Sequence, residues 1–168
     1  WELAIVLLGD LVRHGTRLDV VAFSSLVSAC EKASRWNSCL EILSAMQRQA
    51  LPPNVVTCTA AINACGRAGH WEHALLLATS MCTRGLNPDA VCSIAAASAC
   101  ERSSRWTLAL QLIAAMPLVG LCPGAAGFSV ATAACEKASL WEEAWHTLTY
   151  MLALGIKPNG LVLNSVLC

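Results

Sequence analysis

The 168-residue chain carries 11 Lys and Arg against 11 Asp and Glu, so its formal net charge is zero. It therefore lacks the basic balance with which nucleic-acid-binding proteins usually attract phosphate. Its hydrophobic fraction of 56% fits a chain with a continuous apolar interior.

Four residue types recur along the chain at a constant spacing of 35 residues, with no insertion. Such a period is the signature of a repeat protein, in which each unit buries its apolar face against its neighbours. The recurring residues are Trp1, Trp36, Trp71, Trp106 and Trp141; Cys30, Cys65, Cys100 and Cys135; Met46, Met81, Met116 and Met151; and Pro53, Pro88, Pro123 and Pro158.

The period predicts a single repeat array over residues 1–168. It comprises a partial repeat 1–19, the full repeats 20–54, 55–89, 90–124 and 125–159, and a partial repeat 160–168. Because the chain begins and ends in mid-repeat and has no initiator Met, we interpret it as a fragment of a longer protein.

Each repeat contains two helical patterns. In repeat 20–54, the first places Phe23, Leu26, Val27 and Cys30 on one face of a 3.6-residue helix, and the second begins at Trp36. Since each helix has only about a dozen residues, stacking must stabilise the array. A column of small residues in the second helices should let paired helices approach closely: Ala4, Cys39, Ala74, Ala109 and Ala144.

The ends of the second helices carry helix-terminating residues. Gly85 and Gly155 should close their helices through a left-handed conformation, and the Pro that follows prevents continuation. Pro117 departs from this pattern because it directly follows Met116, where the other repeats still have a helical pattern. We expect Pro117 to shorten or kink that helix.

Several other classes of protein are disfavoured. The uncharged run between Arg105 and Glu136 contains Pro and Gly at the repeat turns, which argues against a membrane span. The repeating Cys residues would lie roughly 9–10 Å apart in stacked helices, too far for disulfides, so we expect buried, reduced thiols and a reducing compartment. His70 and His73 lack further ligands at metal spacing, and no catalytic signature is found.

The 35-residue helix pair resembles the pentatricopeptide repeat, most completely in the segment from Val55 to Asp89, which ends in Leu-Asn-Pro-Asp. The tetratricopeptide repeat fits less well, because its period is 34 residues and its Trp-Leu-Gly-Tyr signature is missing. The resemblance implies an all-α fold, a right-handed α-solenoid superhelix of stacked antiparallel helix pairs. It also implies binding of single-stranded RNA at about one base per repeat, in a mitochondrion or chloroplast.

In the family, the fifth and last residues of a repeat contact the base edge, and the second packs against the base face. Carried over by position, the base-reading residues are Ser24 and Asn54, Thr59 and Asp89, Ile94 and Gly124, and Ser129 and Asn159. The base-packing residues are Val21, Val56, Val91 and Ala126, and Asn164 is the fifth residue of the last partial repeat. By resemblance, Ser with Asn implies adenine and Thr with Asp implies guanine.

The predicted readout is therefore A, G, unspecified, A, in the 5′ to 3′ direction along the repeats. Ile94 and Gly124 have no side-chain hydrogen-bonding group, so their repeat departs from the family pattern and has lost base selectivity or base binding. Ala126 is smaller than the usual packing residue, which weakens the expectation for repeat 125–159.

A basic column recurs near the end of each first helix: Lys32, Arg67, Arg102 and Lys137. The family implies phosphate contact for these residues, and the alternative is a solvated helix end whose dipole favours cations. We expect the Trp column to pack in the core rather than to stack on bases.

The function predicted is sequence-selective RNA binding in organellar RNA processing or stabilisation. The alternatives are a protein-interaction scaffold on the same solenoid, which the zero net charge favours, and a degenerate spacer within a longer array. We expect no enzyme activity, cofactor, metal, membrane insertion or small-molecule substrate.

Overall fold

The structure, a computed structural model, describes residues 19–167, and its regular elements in that range are helices. Residues 1–18 and Cys168 lie outside the described residues, so only Asp19 of the predicted partial repeat 1–19 is described. The chain divides into two compact units, Trp1–Pro88 and Asp89–Cys168.

Within residues 19–88, the first unit contains two helix pairs whose four helices have 13 residues each. Helix α1 contacts both its partner α2 and the first helix of the next repeat, α3, which in turn contacts α4. The predicted pair of short helices per repeat is therefore confirmed here. The bounds are α1 Val20–Lys32, α2 Trp36–Arg48, α3 Val55–Arg67 and α4 Trp71–Thr83.

The second unit continues the pattern, and its central helix α7 contacts the other four α-helices. Helix α7 begins at Gly124, one residue before the predicted repeat start at Ala125. The bounds are α5 Ala90–Arg102, α6 Trp106–Ala115, a 3-10 helix Pro117–Val119, α7 Gly124–Lys137, α8 Trp141–Ala153 and α9 Gly160–Leu167.

Each unit buries the apolar faces that the periodicity predicts. In the first unit, Phe23 and Val27 of α1 pack with Met46 of α2 and Ala61 of α3, and all four side chains are fully buried. In the second, Met151 of α8 and Val162 of α9 are fully buried beside Phe128 of α7. Because each core joins side chains of consecutive repeats, a single repeat could not bury its own apolar surface.

The Cys column and the small-residue column are buried in the described repeats. Cys30, Cys65, Cys100 and Cys135 are free thiols, as predicted, and none is more than 1% exposed. Burial raises the pKa of Cys65 and of Cys135 to about 11, because an ionised thiolate there would lose its hydration. Cys39, Ala74, Ala109 and Ala144 are equally buried, which agrees with the predicted close approach.

The turns between the two helices of each described repeat share one backbone conformation. The residue at one register position adopts the left-handed conformation: Ser34 (φ 55°), Gly69 (φ 80°), Ser104 (φ 57°) and Ser139 (φ 56°). The next backbone N–H then bonds back to the Cys column, as when Arg35 donates to the Cys30 carbonyl at 2.9 Å. This is the Schellman arrangement, and it satisfies carbonyls that the helix end leaves unpaired.

The same arrangement occurs at the ends of the second helices, where carbonyls of the Met column accept the hydrogen bonds. Leu51 donates its N–H to the Met46 carbonyl at 3.0 Å, and Ile156 donates to Met151 at 3.1 Å. Gly85 and Gly155 are left-handed, as predicted, each with φ 72°. Ala50 adopts φ 55° at the same register position, although it has a Cβ.

Pro117 shortens its helix as predicted. Helix α6 ends at Ala115 after 10 residues, and a 3-10 helix follows over Pro117–Val119. A proline has no N–H to donate and its ring clashes with the preceding turn, so the α-helix cannot continue through it. Leu118, which lies in this 3-10 helix, is 86% exposed.

Within residues 19–167, a Trp begins each second helix, but the predicted burial of this column is only partly correct. Trp36 is half-buried, and its ring lies 3.9 Å from that of His70 and 5.4 Å from that of His73, measured between centroids. The ring thus lies over the second helix of the next repeat. The prediction is wrong for Trp141, which is 75% exposed, since no second helix follows α8 within residues 19–167.

None of the helices within residues 19–167 has the length and apolar character needed to cross a membrane.

Candidate nucleic-acid interface

The last residue of a repeat has a structural role that the sequence analysis did not identify, because it caps the helix that begins the next repeat. The side-chain oxygen of Asn54 accepts the N–H of Thr57 at 2.8 Å, and that of Asp89 accepts the N–H of Cys92 at 2.8 Å. Asn159 caps α9 in the same way, through the N–H of Val162 at 2.9 Å. These bonds satisfy backbone donors that the first helical turn leaves unpaired.

The predicted pair Ser24 and Asn54 is joined through a third side chain, Thr57. The Thr57 hydroxyl donates to the Asn54 side-chain oxygen at 2.7 Å and lies 2.6 Å from the Ser24 hydroxyl. The Thr57 hydroxyl has a single proton, which it donates to Asn54. Ser24 is therefore the donor in the 2.6 Å contact, and the Val20 carbonyl at 2.8 Å is the alternative acceptor for the Ser24 hydroxyl. Asn54 is exposed, Ser24 half-buried and Thr57 fully buried.

The second Ser and Asn pair has the same residue types but a different hydrogen-bond arrangement. Here the Asn159 amide nitrogen donates directly to the Ser129 hydroxyl at 2.9 Å. The residue equivalent to Thr57 is Val162, which has no hydroxyl and is fully buried. The structure thus brings both predicted Ser and Asn pairs together, with the Asn exposed in each.

The other two predicted pairs differ from these in the exposure and hydrogen-bonding groups of their side chains. Thr59 is 8% exposed and donates its hydroxyl to the Val55 carbonyl at 2.8 Å, while Asp89 is exposed in the second unit. Ile94 is half-buried, and Gly124 begins α7 with φ 57°. Helix α7 has no side-chain cap, because glycine replaces the Asn or Asp of the other repeats.

The predicted base-packing residues are all exposed at the first turns of their helices. Val21 is 70% exposed, Val56 is 66% exposed and Val91 is 61% exposed, and Ala126 also lies at the surface. An isolated exposed valine is ordinary in a folded protein. The three valines, however, recur at one register position beside the capping residues, so each unit places apolar side chains next to its polar pairs.

The basic column is partly neutralised by glutamates. Arg67 lies 3.7 Å from the Glu31 carboxylate, and Lys137 lies 2.6 Å from that of Glu101. Each ion pair joins the first helices of consecutive repeats. Lys32 and Arg102 are exposed, and no ion pair is found for either among the described residues. The column therefore offers less positive charge than its sequence indicates.

Two site residues were missed from the sequence. Asp19 caps α1 through the N–H of Ala22 at 2.8 Å, and it stands 35 residues before Asn54, so the period alone could have identified it. Thr57 could not be found this way, because its position holds Ala22, Cys92, Gly127 and Val162 in the other repeats.

The described residues contain no group of three His, Cys, Asp or Glu side chains placed to hold a metal ion.

Comparison with known proteins places this chain among helical repeat proteins. Residues 18–67 match the PPR repeat family, and residues 56–86 match the PPR repeat. No curated protein sequence matches the chain.

Three solved structures show the same fold. The pentatricopeptide repeat protein PPR10 from maize is 19% identical over 95% of this chain, with a TM-score of 0.82, and the match spans 23% of that protein. PPR10 in complex with an 18-nucleotide psaJ RNA element is 26% identical over 90% of this chain and 22% of that one, with a TM-score of 0.82.

The third is the PPR domain of Arabidopsis thaliana protein-only RNase P 1 in complex with tRNA, which is 13% identical over 84% of this chain and 75% of that one, with a TM-score of 0.75. The fold is therefore an all-α solenoid, as predicted, and this chain spans less than a quarter of PPR10. The repeat matches, which together span residues 18–86, and the shared architecture show that the chain is similar to pentatricopeptide repeat proteins.

Proposed function

We propose that this chain binds single-stranded RNA at about one base per repeat, through the capping residues and the exposed side chains beside them. The observation that carries the proposal is the pairing of an exposed Asn with a Ser, as in Asn159 and Ser129 at 2.9 Å, at the predicted register positions. A solved complex of PPR10 with RNA, 26% identical to this chain, also supports it.

The chemistry of the pairs supports base reading. In Asn54 and Asn159 the side-chain oxygen accepts a backbone N–H, so the amide NH₂ is the group directed away from the cap. An NH₂ group donates to ring nitrogens such as adenine N7, whereas the Asp89 carboxylate can only accept and suits a base with N–H donors. The proposed order of bases is A, G, unspecified, A.

The exposed valines supply the second part of the proposed site. A base stacked against Val21 or Val56 would bury an apolar side chain that is at least 66% exposed in the structure. Burial of apolar surface favours binding without distinguishing one base from another. Selectivity is therefore assigned to the polar pairs and affinity to the valines.

We also propose that binding serves organellar RNA processing or stabilisation without catalysis by this segment. Four repeats contact about four bases, too few to specify one transcript site, so we infer that further repeats act with these.

The direct test is a titration with short single-stranded RNAs that carry A-G-N-A, against scrambled RNAs of equal length, at two salt concentrations. We expect tighter binding of A-G-N-A at both, with all affinities lower at high salt because phosphate contacts release counterions. The variant with Val21 and Val56 changed to Ser is expected to bind both RNAs more weakly and keep the preference. Equal or absent binding of all RNAs by the unmodified chain would refute the proposal.

A protein-interaction scaffold is the second candidate, and the ion pairs of Arg67 and Lys137 favour it because they reduce the positive charge available for phosphate. The same titration separates the two functions. A scaffold is expected to show no RNA binding even at low salt, where electrostatic attraction is strongest.

A further inference from the structure

The two Ser and Asn pairs have the same residue types, yet their hydrogen bonds differ at one side chain. We infer that Thr57, at the third position of its repeat, is a specificity-determining positioning residue for the base read by Ser24 and Asn54. This inference rests on the proposed RNA binding, and it adds a third position to the two that the resemblance implies.

The orientation of Asn54 follows from its partners. A backbone N–H can only donate, so the atom of Asn54 that lies 2.8 Å from the Thr57 nitrogen must be the side-chain oxygen. The Thr57 hydroxyl donates to the same oxygen at 2.7 Å. With two donors on the oxygen, the amide plane is held at two points, and its NH₂ group faces away from the helix.

The same hydroxyl determines what Ser24 contacts. The Ser24 hydroxyl lies 2.6 Å from the Thr57 hydroxyl, so Ser24 has a hydrogen-bond partner other than the Asn54 amide. Among residues 19–167, the Asn54 NH₂ group has no hydrogen-bond acceptor, and Asn54 is exposed. Both of its N–H donors are therefore available to a base.

In the second pair, Val162 has no hydroxyl with which Ser129 could form a hydrogen bond. The Asn159 NH₂ group donates to Ser129 at 2.9 Å, so one of its two N–H donors is already engaged. A base that needs both donors, or that approaches along that N–H, must first break this bond. Ser24 and Asn54, which contact Thr57, are thus preorganised for binding a base, whereas Ser129 and Asn159 are not.

Thr57→Val is the matched test, because valine has nearly the shape of threonine and already occupies the equivalent buried position 162. The variant keeps the backbone cap and removes only the hydroxyl. We expect about a fivefold loss of affinity for RNA with adenine opposite Asn54, the effect of one net hydrogen bond, and little change for the other three bases. Thr57→Ser keeps the hydroxyl and is expected to retain the preference.

The reciprocal variant, Val162→Thr, supplies the hydroxyl to Asn159 and is expected to raise the preference for adenine at that base by a similar factor.

A readout without RNA is the side-chain NH₂ resonance of Asn54 in NMR spectra. In Thr57→Val it is expected to move toward that of Asn159, because the amide takes Ser24 as its acceptor.

The outcomes separate the two proposals. If the unmodified chain binds none of the four RNAs that differ at this base, the proposed function itself fails. If it discriminates among them and Thr57→Val keeps the same ratios, or loses affinity equally for all four, Thr57 is only structural and this inference is overturned.

Discussion

Replacing Asp89 tests the overlap between helix capping and base reading, because this residue is assigned both roles. Asp89→Ala removes the 2.8 Å bond to the Cys92 N–H and leaves that donor without its side-chain acceptor. Loss of an N-cap costs about 1 kcal/mol, within a range of roughly 0.5–2. For a chain of this size, thermal unfolding followed by circular dichroism should show a midpoint lower by about 2–4 °C.

Asp89→Asn separates the roles, since Asn caps helices about as well as Asp. It also removes a negative charge near the positive end of the α5 dipole, which costs about 0.3–1 kcal/mol at an exposed site at low ionic strength and less at higher salt. At a salt concentration that screens this effect, we therefore expect near-normal stability together with a shift from guanine toward adenine at one base of the RNA.

Two results would contradict this reasoning. If Asp89→Ala unfolds at the same temperature as the unmodified chain, the cap does not stabilise α5. If Asp89→Asn leaves the base preference unchanged while binding persists, Asp89 caps its helix but reads no base.

Three further variants or treatments test the fold. Ala50→Gly should stabilise the chain by about 0.5–1 kcal/mol in urea unfolding, because φ 55° strains a residue with a Cβ; an unchanged midpoint would contradict this. Gly127→Ala should destabilise it by about 1 kcal/mol net of the helix propensity gained, because the new Cβ would lie 2.6 Å from the Pro123 Cβ; unchanged stability would mean that the ring shifts freely.

At pH 8, iodoacetamide should modify the exposed Cys122 before the buried Cys135, whose pKa is raised to about 11. Because the folded state holds this proton more tightly than the unfolded state, the stability it contributes should be retained below pH 9 and lost between about pH 9 and 11. Equal labelling of the two thiols in the folded chain would contradict the burial.

The helices were predictable because each rests on a complete column of residues. The Trp, Cys and Met columns locate the start, buried face and end of the helices, and Pro117 acts through local sterics alone. The left-handed turns were harder to predict. Ser34 and Ala50 do not favour that conformation, and only their register with Gly69 and Gly85 indicates it.

The candidate site was predictable in its positions but not in its contacts. The capping role of Asn54 could have been read from the known preference for Asn before a helix. The contact of Ser24 with Thr57 joins residues 33 apart in sequence, and it depends on how two helices pack and which rotamers face each other. The same holds for the ion pair of Glu31 with Arg67, which joins the first helices of two consecutive repeats.

The left-handed residues stand at fixed distances within each described repeat, and this constrains how such a chain changes in evolution. One residue inserted into α2 before Met46 would rotate the rest of α2 by about 100°, because a helical turn takes about 3.6 residues. Met46, which is fully buried, would then leave the interior. Gain or loss of sequence is accommodated only as whole 35-residue units, so duplication and deletion of repeats should leave the helix pairs intact where shorter insertions do not.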